Sequence, residues 1–111
     1  MAGSAWKVFD VDALIEQAQD APYYEFLRVP ALSLGLYRLP AGARDLQAPH
    51  DEDEVYFVLR GRARVRVEDE ERPVGSGSVL YVRATSEHSF VEIEEDVTLL
   101  VFFASGGPGS E

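Results

Sequence analysis

Short apolar runs, broken by turn signals roughly every 8–12 residues, predict an all-β protein: a small antiparallel sandwich or barrel entered through one short helix. Three observations carry the prediction. Only the stretch from Asp10 to Ala18 has convincing helical character. From Leu32 to Phe103 the chain alternates between runs rich in Val, Leu, Tyr and Phe and short breaks of Gly, Pro, Ser or carboxylates. No linker and no repeat of fixed period divides the 111 residues, of which 46% are apolar, so the chain is expected to fold as a single domain over 1–111 around one core.

Each element has a local reason. In Asp10-Val11-Asp12-Ala13-Leu14-Ile15-Glu16-Gln17-Ala18, Asp10 or Asp12 caps the helix, and Asp12 and Glu16 favour its positive end. Pro22 stops it. Tyr23–Val29 is aromatic and extended, closed by Pro30, and with the helix forms an N-terminal arm over 8–30. Leu32-Ser33-Leu34-Gly35-Leu36-Tyr37-Arg38-Leu39 alternates as a strand does, and Pro40-Ala41-Gly42-Ala43 turns the chain.

The stretch Pro49–Gly61 is the centre of the sequence. It opens with His50, passes through the carboxylates Asp51, Glu52, Asp53 and Glu54, and becomes a buried-strand pattern, Val55-Tyr56-Phe57-Val58-Leu59, ending at a turn at Gly61. Arg62-Ala63-Arg64-Val65-Arg66-Val67 alternates strictly. With Arg60 its basic face reads as a solvated sheet surface pairing loosely with nearby acids, each exposed pair worth about 0–1 kcal/mol, the alternative being an anion-binding site. Glu68–Glu71 reads as a hairpin loop and Gly75-Ser76-Gly77 as a turn. Val79–Val82 is a strand, Ala84–Glu87 a loop, His88–Ile93 a strand, Glu94-Glu95-Asp96 a turn and Val97–Phe103 a last buried strand. A flexible tail over 104–111 is expected.

Several function classes are excluded. With no Cys there is no disulfide, thiolate site or cysteine nucleophile. A net charge of -10 argues against nucleic acid and anionic membranes as partners. No apolar run approaches the roughly 20 residues that cross a bilayer, and no secretory leader is evident, so the expected setting is soluble and cytoplasmic. The strand from Val55 to Leu59 is apolar on both faces: Tyr56 and Val58 share the Glu54 side, and Val55, Phe57 and Leu59 share the other. The second face needs a cover, from the N-terminal arm or from a second subunit, and a homodimer is expected.

The chemistry rests on three residues. The two histidines, His50 and His88, each stand at the head of an apolar strand after a polar loop. His50 and Glu54 are an even number apart and share one face of an extended chain. Two imidazoles and one carboxylate suit a divalent transition metal (Fe, Mn, Zn, Ni or Cu) and leave positions open for water or substrate. Tyr37, Tyr56, Tyr81 and Phe90 are candidates for lining a pocket.

The spacing of these residues resembles the cupin superfamily. Gly42 to Gly61 is similar to its first signature, a glycine, a spacer, His-x-His, three residues, Glu, six residues and Gly. His50, Glu54 and Gly61 fit, and Ala48 stands in the place of the first histidine. Gly75 to His88 is similar to the second signature. Gly77 and His88 fit, while Arg83 and Thr85 stand where proline and glycine are usual, and Ser78 where aspartate is common. The resemblance covers about residues 32–103. It implies a small jelly-roll β-barrel with a metal near one mouth, the usual three histidines and one glutamate being reduced to His50, Glu54 and His88. Three readings of Ala48 stay open: water fills the vacated position, Gln47 supplies its amide oxygen across a bulge, or the barrel has lost its metal. The implied function is a metal-dependent enzyme acting on a small organic molecule, of oxygenase, isomerase, lyase or decarboxylase type. The alternatives are a non-enzymatic small-molecule-binding barrel and an obligate dimer whose His50 and Glu54 merely hydrogen-bond.

Overall fold

The computed structural model describes residues 5–43, 45 and 51–104. His50, Ala48 and Gln47, and the tail from 105 on, lie outside the described residues. The elements in order are α1 (Val11–Ala18), β1 (Tyr23–Val29), β2 (Leu32–Leu39), β3 (Glu54–Val67), β4 (Glu70–Gly75), β5 (Val79–Val82) and β6 (His88–Ala104). All strand pairings are antiparallel, in the order β1-β2-β6-β3-β4, with β5 on the other edge of the first part of β3. The all-β jelly-roll expected from the sequence is the fold observed. No helix among the described residues is long and apolar enough to cross a membrane.

Asp10 caps α1, its carboxylate accepting from Ala13 N at 3.2 Å. At the other end Gln19 adopts a left-handed φ of 51°. The Arg38 guanidinium covers the Gln19 carbonyl and donates to Ala21 O at 3.0 Å, a cation placed at the negative end of the helix. Leu14 and Ala18 are buried against Leu36, with Tyr24, Leu59 and Leu100 beside them. The helix therefore lies on the outside of the sheet. The leucine face of β2 (Leu32, Leu34, Leu36) turns toward that outer layer. The other face of β2, Ser33, Gly35, Tyr37 and Leu39, pairs with Phe103, Val101, Leu99 and Val97, which face the main core.

Two breaks expected from the sequence are bends inside long strands. β3 runs unbroken through Gly61, and β6 runs unbroken through Glu94, Glu95 and Asp96. Their pairing slips at several points between Val58 and Val65, and bulges of this kind bend a strand and switch its faces. The buried positions accordingly change from Glu54, Tyr56 and Val58 before the bend to Ala63 and Val65 after it. Gly61 has φ 102°, and a Cβ there would run into the Asp96 carbonyl oxygen and stand 2.7 Å from Val97 Cα. Only glycine allows the two backbones to cross this closely. Likewise Glu70 and Glu71 belong to β4, and only Glu68 and Asp69 form the hairpin turn.

The arginine row behaves as the alternation implied. Arg62 pairs with Glu94 at 2.7 Å, Arg64 with Glu71 at 3.3 Å and Arg66 with Glu71 at 2.8 Å, all on the solvated face. The Arg66 and Arg64 guanidinium groups hold the Glu71 carboxyl below its ordinary value.

Candidate metal centre

The folded ribbon builds the site. Glu54 is paired with Phe103 at one end of β3, and His88 is paired with Val67 at the other. A straight strand would hold those ends about 43 Å apart, at about 3.3 Å per residue. Instead Glu54 Oε1 and His88 Nε2 are 3.5 Å apart, because β3 and β6 double back together at the Gly61 bend. Both side chains are about 2% exposed.

Tyr56 stands between them. Two residues beyond Glu54, it projects from the same face of β3. Its hydroxyl donates to Glu54 Oε1 at 2.5 Å and lies 3.1 Å from His88 Nε2. Its ring meets Phe90 edge-on at 5.6 Å. The imidazole is oriented from behind: Nδ1 donates to the Ser86 carbonyl at 2.9 Å, so Nδ1 carries a proton and Nε2 faces the interior. The single hydroxyl proton of Tyr56 goes to Glu54. The contact between Nε2 and the Tyr56 oxygen is then a hydrogen bond only when Nε2 is protonated too. Hydrogen bonding to the Glu54 carboxylate raises the His88 pKa above its ordinary 6.5; burial opposes this, while the Ser86 carbonyl and the charges of Glu54 and Asp45 add to it.

The loop that carries Ser86 and His88 is fastened to the start of β3. Asp53 Oδ1 accepts from Ala84 N at 2.7 Å, and the Asp53 carbonyl accepts from Ala104 N at 3.0 Å. Thr85, in the place where the signature has glycine, has φ 67°, a left-handed conformation that a β-branched residue adopts at a cost. Sequence reasoning gave no role to Asp53 beyond a loop carboxylate, and none to Asp45. The latter is buried and accepts from the Tyr37 hydroxyl and from Phe90 N, both at 2.8 Å. Nothing in the local sequence around Asp45 signals this. Of the four candidate lining residues, Tyr56 and Phe90 are buried inside and Tyr37 packs against the core. Tyr81 is 61% exposed and pairs with Val55 rather than with the Glu54 side of β3; it lines a cavity with Val65, Val67 and Leu80, whose lining includes neither Glu54 nor His88.

Two of the three sequence-derived ligands thus converge, and the third, His50, lies outside the described residues. Among the described residues no three His, Asp or Glu side chains gather. The donors present fit a transition metal: a buried carboxylate, and an imidazole whose outer nitrogen is held by a backbone carbonyl.

A family model described as "Cupin domain" matches residues 35–103. The chain is a cupin. An uncharacterized protein of Streptomyces coelicolor is 47% identical over 100 residues, covering 88% of this chain and 95% of its own. An RmlC-like cupin family protein of Methanocaldococcus jannaschii, with a double-stranded β-helix fold, is 16% identical at a TM-score of 0.71, covering 92% of this cupin and 93% of that chain. The DMSP lyase DddQ of Ruegeria pomeroyi is 20% identical at a TM-score of 0.71, covering 78% of this chain. This cupin spans under half, 47%, of the lyase, and the likeness is one of fold.

Proposed function

We propose that this cupin binds one divalent transition metal through His50, Glu54 and His88 and is a metal-dependent enzyme acting on a small organic molecule. The observation that carries the reading is the Glu54–His88 pair: a buried carboxylate and an inward-facing Nε2 3.5 Å apart, with the Tyr56 oxygen beside both. Bound there, the metal supplies a Lewis acid for a carbonyl or carboxylate, or open positions for dioxygen and substrate. Ser86 fixes the imidazole, Asp53 fixes the loop that carries it, and Phe90 with the main core keeps bulk water from the pair. Among oxygenase, isomerase, lyase and decarboxylase chemistry, a structural neighbour named as a lyase keeps the third class in view.

A second reading has its own observation. With Nε2 protonated, the Glu54–Tyr56–His88 hydrogen bonds satisfy one another without a metal, as a barrel that binds a small molecule non-enzymatically would require. Elemental analysis of protein purified without tag or chelator decides between them. Near one equivalent of a transition metal in the wild type and in Glu70→Ala, lost in His50→Ala and His88→Ala, supports the metal centre. Equal metal content in all four sinks it.

We further propose that the chain works as a single-domain homodimer in the cytoplasm. Tyr81, Val55, Phe102 and Leu34 form one apolar row across four strands on the outer face, beside Val79 and Phe57, beyond the area that α1 covers. Val79 and Tyr81 are 66% and 61% exposed. A contiguous apolar sheet face of this kind suits a second copy.

A further inference from the structure

The ligand set of His50, Glu54 and His88 leaves out an oxygen that touches both Glu54 and His88. The Tyr56 oxygen is 2.5 Å from Glu54 Oε1 and 3.1 Å from His88 Nε2, while those two are 3.5 Å from each other. Donors bound to one transition metal at about 2.0–2.1 Å stand about 2.8–3.4 Å apart at octahedral or tetrahedral angles. The three sides of this triangle bracket that range. The sequence is also one donor short, with Ala48 where the first cupin signature has histidine.

We propose that the phenol oxygen of Tyr56 would itself be a metal ligand, joining Glu54 and His88. This rests on the reading of that pair as a metal centre and adds a donor to it. Packing holds the ring where ligation needs it. The side chain is 1% exposed, shares the Glu54 face of β3, and is wedged edge-on against Phe90, so its oxygen has little freedom to leave the pair. Ligation breaks the phenol O–H bond and forms an oxygen–metal bond. The phenol proton goes to solvent, joined by that of Nε2 where this nitrogen is protonated, and no electrons change hands. The phenolate brings a second negative charge beside Glu54, which favours a metal of higher charge or a strongly acidic dication over a neutral guest.

Copper(II) is the probe, because it binds mixed N and O sites most tightly among the divalent first-row ions and reports a bound phenolate by colour. One equivalent is added to tag-free protein, and visible absorption, resonance Raman and copper content are read for the wild type, Tyr56→Phe and His88→Ala. Circular dichroism checks that each variant is folded. The expected result is a phenolate-to-copper charge-transfer band and phenolate ring modes in the wild type. Tyr56→Phe retains copper with about 10-fold or more weaker affinity, since even partners outside the ligand set are worth about 10–100-fold, and both signals vanish. Stoichiometric copper with no such band, or a band that survives Tyr56→Phe, overturns the role of Tyr56 and leaves the metal centre standing. A wild type that takes up no copper, or His88→Ala binding as well as the wild type, overturns both.

Discussion

Replacing Gly61 by alanine tests the bend that brings Glu54 to His88. Gly61 has φ 102°, and an alanine there would drive its methyl group into backbone: past the Asp96 carbonyl oxygen, 2.7 Å from Val97 Cα and 2.8 Å from Asp96 C. Gly77 is the control, with φ 90° and nothing within 4 Å of an added Cβ. At both sites the left-handed backbone costs an alanine about 1–2 kcal/mol, and the stiffer unfolded chain returns about 0.5–1 kcal/mol, for a net loss near 1 kcal/mol. At Gly61 alone the two strands must also move apart, which by the measure of overpacked cores costs about 1–3 kcal/mol more. Gly61→Ala is therefore expected to lose about 2–4 kcal/mol and Gly77→Ala about 1 kcal/mol, from a total stability of about 5–15 kcal/mol. At about 4 °C per kcal/mol for a chain of this size, Tm falls by about 8–16 °C against about 4 °C. Urea and thermal unfolding of both variants give the comparison. Losses that agree within about 0.5 kcal/mol, the usual spread of neutral surface changes, would refute the claim that close backbone crossing, rather than φ alone, demands glycine at the bend.

Other outcomes are equally specific. Thr85→Gly should stabilise the protein by about 1 kcal/mol, because relief of left-handed strain of about 1–3 kcal/mol exceeds the added unfolded-state entropy; an unchanged or lower Tm would contradict it. Wild-type protein should have a dimer mass by light scattering, and Val79→Asp with Tyr81→Asp a monomer mass, whereas a monomeric wild type removes the outer-face dimer. In metal-free protein, NMR should find the His88 ring titrating above 6.5, the direction its hydrogen bond to Glu54 sets. A raised folded-state pKa means that the pair's contribution to stability is complete below 6.5 and is lost as pH rises through the folded value. Glu54→Gln should lower that midpoint and flatten the loss, and a midpoint at or below 6.5 in the wild type would count against the pairing.

The amino-acid sequence alone determined the class of fold and most of its elements. Alternation fixed α1, β1, β2 and the arginine face of β3, because side-chain periodicity and capping are local properties. It also singled out Glu54 and His88, since each stands at a strand mouth with signature spacing, and it left Ala48 as a missing donor. The strand interruptions at Gly61 and at Glu94–Asp96 were legible only as breaks: a glycine and a run of acids signal a change of direction, but a bend inside a paired ribbon and a turn between strands share that signal. Tyr81 and Tyr56 look alike in sequence, and pairing partners put one outside and the other against the ligands. What tertiary structure decided was the meeting of Glu54 and His88, 34 residues apart in the chain and at opposite ends of one ribbon, within 3.5 Å. It also decided the place of Tyr56 between them. No local rule encodes either, because both depend on how far a two-stranded ribbon folds over, which the close crossing at Gly61 and the packing of the core set together.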